Sequence, residues 1–416
     1  MTKLETKITE SFDIAIVGGG MVGLSLALLL TTRHPSWKVL VVEAFNPAST
    51  NKTPLNYRPS FDARSTALSQ SSREIFEQMG LWQMLSEQVA PISAVHVSDK
   101  GHVGSTKMSA VEQQLEALGC VIENPWLGTV LMSAVEAQEN IELAAPAELE
   151  TLCFDDAGVS FTLTGQEGSF RAKLLVVADG AESKTRKRLG IGVRVKDYGK
   201  VGLIANISLE KPHQGVAYER FTDWGPMAML PLTDMEGEHR SALVWTLLPE
   251  KAAELQAADE PRFLAELQQR FGFRLGMLKR AGQRFSYPLK QLVATEQVRR
   301  NLVVIGNAAH ALHPVAGQGF NLSLRDAAML AAVLAEASEQ GQALGELEVL
   351  ERYQQYQQAD QKQTMVLSDF LPTVFGSKAA PVALARNMGL LALDALPSLR
   401  HQFTRVGMGL QTRGVK

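Results

Sequence analysis

The sequence has few of the features that mark secreted, membrane-spanning or nucleic-acid-binding proteins. Its 416 residues include only two cysteines, Cys120 and Cys153, and neither belongs to a Cys-x-x-Cys pair. This argues against a disulfide framework and against a cysteine-ligated metal site. The 41 basic and 44 acidic residues give a net charge of −3, without the basic excess that indicates nucleic-acid binding.

Long apolar runs are absent as well. In the apolar region from Ile14 to Leu30, the unbroken part Leu26–Leu30 is too short for a bilayer core of ~30 Å. Acidic residues precede this region and no small-residue cleavage site follows it, unlike in a signal peptide. With 45% apolar and 20% charged residues, the sequence predicts a globular cytoplasmic protein without an export signal or a transmembrane helix.

What the sequence does have is a glycine-rich turn between a strand and a helix. Ile14–Val17 is a β-branched apolar run typical of a buried parallel strand, and Leu24–Leu30 is predicted to be helical. Between them, Gly18, Gly20 and Gly23 form the pattern G-x-G-x-x-G. The first glycine allows a tight turn, the second lets the backbone approach a pyrophosphate, and the third lets helix and strand pack closely.

A second strand and an acidic residue complete this unit. Val39–Val42 is predicted to be a strand, and Glu43 follows it directly. A carboxylate about 20 residues after the glycines accepts hydrogen bonds from ribose hydroxyls, and the helix N-terminus faces the phosphates. Because strand, glycines, helix, strand and acid occur in this order, we predict a dinucleotide site.

Two later buried strands are also followed by glycine-containing turns that could bind a nucleotide. The run Leu174–Val177 leads into Asp179–Gly180, and the run Leu302–Ile305 leads into Gly306–Asn307. A helix is predicted from Asn321 onward, so that its N-terminus points back at the same ligand. The three glycine-containing turns are far apart in sequence but are expected to converge on one extended nucleotide.

Two other groups of residues are interpreted as structural. The helix predicted after Gly180 has basic residues that we interpret as a solvated face, namely Lys184, Arg186, Lys187 and Arg188. His310 and His313 are three residues apart, but no third ligand lies nearby. The sequence therefore predicts no metal site.

An antiparallel sheet is predicted as an insertion into the dinucleotide fold. Ala94–Asp99 alternates apolar and polar residues, and four strand-like runs separated by turns occupy 201–247. The tail beyond Leu350 is predicted to be helical, with two apolar stripes. The first stripe is broken by Pro372, and the second comprises Leu384, Met388, Leu391 and Leu396. Contact with the core, with a partner or with a membrane surface all remain open for these stripes.

These motifs together resemble those of a known family. The glycine turn, Ala178–Gly180 and the segment 306–326 resemble the three fingerprints of FAD-dependent aromatic hydroxylases of the para-hydroxybenzoate hydroxylase type. Within that type, residues 97–102, 221–231 and 313–322 resemble the ubiquinone-biosynthesis hydroxylases, most of all those acting on 2-polyprenyl-6-methoxyphenols. The resemblance covers nearly the whole chain.

The resemblance implies an α/β fold with an α+β insert. A Rossmann-like FAD-binding domain would carry an inserted antiparallel-sheet substrate domain and a helical C-terminal tail. The expected FAD-binding domain comprises residues 12–75, 105–190 and 285–350. The expected substrate-binding domain comprises residues 76–104 and 191–284, and the helical segment comprises residues 351–416.

The resemblance also implies roles for individual residues. Those expected to bind FAD are Gly18, Gly20 and Gly23 at the pyrophosphate, Glu43 at the adenosine ribose, Arg64 near the flavin phosphates, and Gly306 and Asn307 at the ribitol. Asp179 and Gly180 would serve both FAD and the visiting NAD(P)H. Those expected around the isoalloxazine ring are Pro314, Gly317, Gly319 and Asn321. Asn307 departs from the family, which usually has an aspartate there; asparagine keeps a hydrogen bond but lacks the charge.

The implied reaction is hydroxylation of the ring of a polyprenylated methoxyphenol in ubiquinone biosynthesis. NAD(P)H would reduce FAD, and O₂ would deliver a hydroxyl group through a flavin C4a-hydroperoxide. No residue can be assigned as the base that deprotonates the phenol. Besides the substrate and O₂, the expected partners are other ubiquinone-biosynthesis proteins, the surface of the inner membrane and a second copy of the chain, but not nucleic acid.

Three alternatives stay open from the sequence. The chain could be a sister hydroxylase acting at another ring carbon. It could also be a flavin oxidase or dehydrogenase on the same fold, or a non-catalytic FAD-fold scaffold protein. A conventional NAD-dependent dehydrogenase is disfavoured, because it would leave the segment 306–327 without a role.

Overall fold

The computed structural model describes residues 8–45, 60–61, 64–102, 104–312, 317–376, 388–389 and 391–408. Its strands form three sheets within these residues. The first sheet has eight strands and contains the predicted dinucleotide-binding unit. Its strands are β1 (Ile8–Val17), β2 (Val39–Val42), β8 (Ile141–Ala144), β9 (Leu149–Asp155), β10 (Gly158–Leu163), β11 (Ser169–Val177), β18 (Val298–Arg299) and β19 (Leu302–Val304).

The centre of this sheet is parallel. Strands β19, β11, β1, β2 and β8 lie side by side in that order, and each neighbouring pair is parallel. One face packs against the helices α1 (Met21–Arg33), α4 (Asn124–Glu136) and α8 (Gln318–Glu339). The other face packs against the β9–β10 hairpin. Continuous apolar runs suit these strands because both faces are buried, and the predicted α/β class is confirmed.

The second sheet has nine strands and is mostly antiparallel, as predicted for the insertion. Helices α6 (Pro249–Ala257) and α7 (Glu260–Phe271) cover one of its faces. Along the main path the strand order is β20-β17-β12-β15-β14-β13-β5-β6, and β16 pairs with β12. The strands are β5 (Ala94–Asp99), β6 (Ser105–Ser109), β12 (Val193–Leu209), β13 (Val216–Phe221), β14 (Pro226–Met235), β15 (Glu238–Leu247), β16 (Leu278–Ala281), β17 (Phe285–Ala294) and β20 (His310–Ala311).

A small third sheet lies between the two large ones. It consists of β3 (Ser65–Ser69), β7 (Gly119–Glu123) and β4 (Val89–Ile92), with β7 in the middle. The short helices α2 (Gln70–Gln78) and α3 (Trp82–Leu85) follow β3. Side chains of β4 and β7 pack in the same apolar cluster as side chains of the nine-stranded sheet. Leu68 of β3 and Ile122 of β7 pack in the apolar cluster of the parallel sheet, so the third sheet contacts both large sheets.

The remaining helices are α5 (Lys184–Arg188) and, in the tail, α9 (Leu347–Gly376) and α10 (Pro397–Gly407). The helix α9 continues through Pro372, where the apolar stripe is predicted to break, and ends at Gly376. A proline inside a helix removes one backbone hydrogen bond, and the flanking turns can continue around it. Among the described residues, no helix is long and apolar enough to cross a membrane.

Candidate active site

The glycine turn links β1 to α1, and its three glycines differ in what surrounds them. A Cβ at Gly18, whose φ is +109°, would lie 2.5 Å from the carbonyl oxygen of Ala178, and a Cβ at Gly23 would lie 1.9 Å from the oxygen of Gly18. A Cβ at Gly20 would meet nothing within 4 Å. Gly18 and Gly23 are therefore required by the protein itself, whereas the open space beside Gly20 suits a ligand at the N-terminus of α1.

Glu43 lies beside this turn at the end of β2. Its Oε2 accepts a hydrogen bond from the Gly19 N–H at 2.6 Å, and its Oε1 accepts one from the Phe45 N–H at 3.0 Å. Each carboxylate oxygen has a further lone pair. The side chain is thus held in place by the backbone and can still accept hydrogen bonds from the hydroxyls of a ribose.

Asp179 lies on the other side of the turn, with its Cα 2.9 Å from the position that a Gly18 Cβ would take. Its Oδ2 accepts from the Thr185 N–H at 3.1 Å. Its Oδ1 is buried and has no hydrogen-bond partner in the described part of the chain. An unsatisfied buried acceptor is costly, so this oxygen fits a site whose ligand supplies a donor. Gly180 follows with φ +86°.

The interpretation of the basic helix as a solvated face is wrong for one of its residues. Arg186 is 1% exposed, and its guanidinium donates to the carbonyl oxygens of Ala308, at 2.7 Å, and Ala181, at 2.9 Å. Arg186 thereby joins the loop after β11 to the loop after β19. A helix of five residues has no apolar stripe that would reveal which basic residue faces inward. Lys184 is exposed and pairs with Glu148, as the solvated interpretation expects.

The loop after β19 brings Gly306 and Asn307 to α1. Gly306 has φ +61°, and a Cβ there would lie 3.2 Å from the Val22 side chain. Asn307 is exposed between the buried Gly306 and Ala308, so its amide is open to a ligand.

His310 and Asp326 tie this loop to α8. Both side chains are fully buried, and they are hydrogen-bonded to each other. The Gln361 Nε2 of α9 donates to the other oxygen of Asp326 at 3.1 Å. His310 therefore has a structural partner, and the described residues include no cluster that could hold a metal. His313 lies outside the described residues.

Asn321 holds the N-terminus of α8 against β3. Its Nδ2 donates to the carbonyl oxygens of Ala67 and Gly317, both at 2.8 Å. Its Oδ1 accepts from the Ser69 N–H at 2.9 Å and from the Ser72 hydroxyl at 2.7 Å. The amide has no hydrogen-bonding capacity left, so a flavin could meet only the backbone of Asn321.

The two glycines next to Asn321 have different surroundings. Gly317 begins α8 with φ +64°, and a Cβ there would lie 3.0 Å from the Ala67 Cβ. A Cβ at Gly319 would meet nothing within 4 Å. Gly319 thus borders open space, like Gly20. Pro314, the other residue predicted in this environment, lies outside the described residues.

Arg64 lies where β3 meets the nine-stranded sheet. Its guanidinium carbon is 5.6 Å from the centre of the Phe285 ring on β17, and the side chain is exposed. Burial raises the pKa of the nearby Tyr287 to about 12, and the charge of Arg64 opposes that shift. The structure thus places Arg64 at the boundary between the two halves of the molecule.

A buried ion pair fixes the nine-stranded sheet to the third sheet. The Arg240 guanidinium on β15 donates to the Glu123 carboxylate on β7 at 2.9 Å, and both side chains are almost fully buried. Arg240 also donates to the carbonyl oxygen of Ser60 at 2.9 Å, and the Asn206 amide donates to the same oxygen at 3.3 Å. No sequence motif indicated this junction, because its residues come from four distant segments.

Comparisons with known proteins agree with this arrangement. Residues 11–367 match the model of a family described as FAD binding domain. Ubiquinone hydroxylase UbiL of Rhodospirillum rubrum is 35% identical over 397 residues, which cover 95% of this chain and 89% of the relative. The 3-demethoxyubiquinol 3-hydroxylase of Escherichia coli is 33% identical over 400 residues, which cover 96% and 98%.

Solved structures show the same fold at lower identity. p-Nitrophenol 4-monooxygenase PnpA from Pseudomonas putida DLL-E4 superposes with a TM-score of 0.77 at 19% identity, covering 98% of this chain and 100% of that one. PqsL, a probable FAD-dependent monooxygenase from Pseudomonas aeruginosa, gives 0.71 at 20% identity, covering 92% and 99%.

The chain belongs to the FAD-dependent aromatic monooxygenases and, within them, to the family of the ubiquinone-biosynthesis hydroxylases. Its cofactor is FAD, and NAD(P)H is the co-substrate typical of this family. The predictions of enzyme class and cofactor are thereby confirmed. The residues present fit FAD, since they include a glycine turn open at Gly20 and an Asp179 oxygen that no described residue satisfies.

Proposed function

We propose that this enzyme hydroxylates the aromatic ring of a polyprenylated methoxyphenol in ubiquinone biosynthesis. The observation that carries the proposal is 33–35% identity, over nearly the full length, to relatives named for ubiquinone and demethoxyubiquinol hydroxylation. The chemistry that the bound cofactor supplies is acceptance of electrons from NAD(P)H and activation of O₂. The protein's part is to hold the cofactor, orient the phenol and exclude water.

The glycine turn is proposed to hold the adenosine half of the cofactor. The N–H groups near Gly20 would bind the pyrophosphate, with Gly18 and Gly23 shaping the turn, and Glu43 would bind the ribose. Their geometry supports this, because Gly20 borders open space and Glu43 is held by backbone N–H groups with lone pairs left over. Arg64 is proposed to act near the flavin phosphates.

The other two loops are proposed to bind the flavin half. Asp179 Oδ1 and Gly180 would also serve the visiting NAD(P)H, and the exposed amide of Asn307, after Gly306, would bind the ribitol. The isoalloxazine environment would be formed by Pro314, Gly317 and Gly319 and by the backbone of Asn321.

We propose a domain division that follows the two large sheets. Residues 12–75, 105–190 and 285–350 would form the FAD-binding domain, and residues 76–104 and 191–284 the substrate domain. Residues 351–416 would form a C-terminal segment. The phenol would bind between the two domains, where the junction at Arg240 and Glu123 holds the sheets together.

The tail is proposed to contact the surface of the inner membrane. The proposal is supported by the exposure of several of its apolar side chains: Val366, Met388, Leu391, Leu396, Leu399 and Phe403. A polyprenyl chain resides in the bilayer, so the enzyme has to meet its substrate there. Contact with other ubiquinone-biosynthesis proteins or with a second copy of the chain is the alternative use of this surface.

The experiment is anaerobic reduction of the FAD-loaded enzyme by NADPH, and separately by NADH, with and without a short-chain 2-prenyl-6-methoxyphenol. We expect the phenol to accelerate reduction, and subsequent O₂ to yield hydroxylated phenol, with NMR identifying the ring carbon. Hydroxylation at another carbon would replace the proposed substrate by that of a sister enzyme.

Two results would contradict the proposal. Reduction at the same rate without phenol, with peroxide as the only product, would indicate a flavin oxidase. Failure of the flavin to be reduced under any substrate condition would indicate a non-catalytic scaffold protein.

A further inference from the structure

The nine-stranded sheet has two faces with different surroundings. One face packs under α6 and α7 and includes Leu203, Leu243 and Trp245, all 0–1% exposed. The opposite face turns towards the third sheet, since Ala217 and Ala242 pack there with Val121 of β7. Arg240, which forms the ion pair with Glu123 of the third sheet, lies on the same face.

A single row of side chains crosses the opposite face. The strand register places its members next to one another on successive strands: Val97, Glu219, Ala228, Val244, Ile204 and Phe285. All six are half-buried, unlike the fully buried residues on the helix-covered face. This row, called the Glu219 row below, is therefore only partly covered by the rest of the described structure. At about 4.8 Å per strand the row is about 24 Å long, which is long enough to contact an aromatic ring and a prenyl chain.

Glu219 is the one carboxyl in an otherwise apolar row. Its neighbours along β13 point to the helix-covered side: the Tyr218 ring lies 5.6 Å from that of Phe271, and Arg220 Nε donates to the Arg270 carbonyl at 2.9 Å. Because side chains alternate between the two faces along a strand, Glu219 must point to the face opposite to α6 and α7. Among the described residues, its carboxyl has no hydrogen-bond or ion-pair partner.

A carboxyl in such surroundings needs an explanation. Burial raises the pKa of Glu219 to about 8. On the adjoining strands β5 and β14, the nearest titratable group that the register places on this face is Asp99, one row away. Asp99 does not contribute to the raised pKa of Glu219, which is caused by burial alone. Structural carboxyls in apolar places are normally paired, so one that has no partner among the described residues and lies in a partly exposed apolar row is suited to a ligand.

We infer that Glu219 binds the phenol hydroxyl of the substrate and accepts its proton. This inference rests on the proposed function. The phenol O–H bond breaks, the proton moves to a Glu219 oxygen, and the electron pair stays on the phenol oxygen. The electron-rich phenolate ring is then a better target for an electrophilic oxygen. Tyr287, which lies on the same face, is not suited to the role of base, because its raised pKa keeps it protonated.

The test compares the wild-type holoenzyme with Glu219→Gln, which keeps the shape and removes the ionisation. The ligands are a short-chain 2-prenyl-6-methoxyphenol and its O-methyl ether, which lacks the hydroxyl. We expect the wild type to prefer the phenol by about 10-fold or more. The variant should show a weaker preference, because glutamine can still accept a hydrogen bond from the hydroxyl but cannot take its proton. The rate of hydroxylation should fall about 100-fold or more.

The pH profile gives a second readout. Wild-type hydroxylation should rise up to about pH 8 and then level off, and Glu219→Gln should lose this inflection. Asp234→Asn is the matched control, since it makes the same change at an exposed residue of β14 and should keep both the preference and the profile. FAD content and thermal unfolding show whether the variants fold, and Glu219→Leu serves as a second variant if Glu219→Gln does not.

The outcomes separate the two proposals. A folded variant that keeps both the preference for the phenol and the pH inflection would overturn the role of Glu219 and leave the proposed function intact. A wild-type enzyme that binds and hydroxylates no such phenol would overturn the proposed function, and the role of Glu219 with it.

Discussion

The two large sheets provide two contrasting kinds of site. At the carboxyl ends of the parallel strands, the polar groups belong to turns and are fixed by hydrogen bonds. Glu43, for example, accepts a hydrogen bond from the Gly19 N–H. On the nine-stranded sheet, the Glu219 row is apolar except for one carboxyl that has no partner among the described residues. The first arrangement is preorganised for a permanent, highly charged cofactor. The second offers apolar surface and one polar contact, which suits a hydrophobic phenol that enters and leaves.

The largest effect is expected for Gly23→Ala, which tests the first kind of site. The new methyl group would lie 1.9 Å from the Gly18 oxygen, so the loss of stability should exceed the about 1–3 kcal/mol of ordinary overpacking. Denaturant unfolding measures this loss, and FAD binding should disappear.

Gly20→Ala is the matched control for that turn. It makes the same change where no protein atom lies within 4 Å, so the apoprotein should keep its stability while FAD binding weakens. Equal effects of the two variants on apoprotein stability would show that the space at Gly20 is not reserved for a ligand.

The junction between the two halves is tested by Arg240→Met. Removing the guanidinium takes a cationic donor away from the buried Glu123 carboxylate, to which the Ser60 N–H still donates at 3.1 Å. The loss of the opposite charge should cost about 3–5 kcal/mol in unfolding free energy. The double variant Arg240→Met/Glu123→Gln should recover most of that loss. A double variant as unstable as the single one would show that packing, not charge, holds the sheets together.

Glu219→Gln should change how stability depends on pH. The pKa of Glu219 is raised in the folded state, to about 8, so the folded protein holds a proton that the unfolded chain loses above about pH 4.3. Wild-type stability should therefore fall relative to the variant between about pH 4.3 and 8, by at most about 1.4 kcal/mol per pH unit. Unfolding curves across this range measure it, and parallel curves for the two proteins would mean that Glu219 is not buried.

The smallest effects on stability are expected for substitutions of two basic residues of α5. Arg186→Met removes the donor for two loop carbonyls and should cost about 1–3 kcal/mol. Lys184→Met removes an exposed ion pair and should change stability by less than about 0.5 kcal/mol. Similar effects of the two substitutions would contradict the buried role of Arg186.

These contrasts also explain what the sequence could and could not predict. Gly18, Gly20, Gly23 and Glu43 lie within one strand–helix–strand unit, so their spacing predicted their arrangement. Asp179 and Gly306 could be predicted because each directly follows a recognisable buried strand. In such places local sequence determines local geometry.

Residues whose position depends on tertiary packing could not be predicted in this way. Arg186 differs from its basic neighbours only in where a five-residue helix packs. The Glu219 row draws one residue from each of six strands, spread from Val97 to Phe285, so no local pattern reveals it. Asn321 was predicted at the ligand by resemblance, but its amide is used entirely within the protein.

The most direct test of the central claim is to follow the oxygen atom itself. The FAD-loaded enzyme is given NAD(P)H, a short-chain 2-prenyl-6-methoxyphenol and isotopically labelled O₂, and the product is examined by mass spectrometry. We expect one labelled oxygen in the ring hydroxyl, with little hydrogen peroxide. An unmodified phenol, with all of the labelled oxygen released as peroxide, would contradict it.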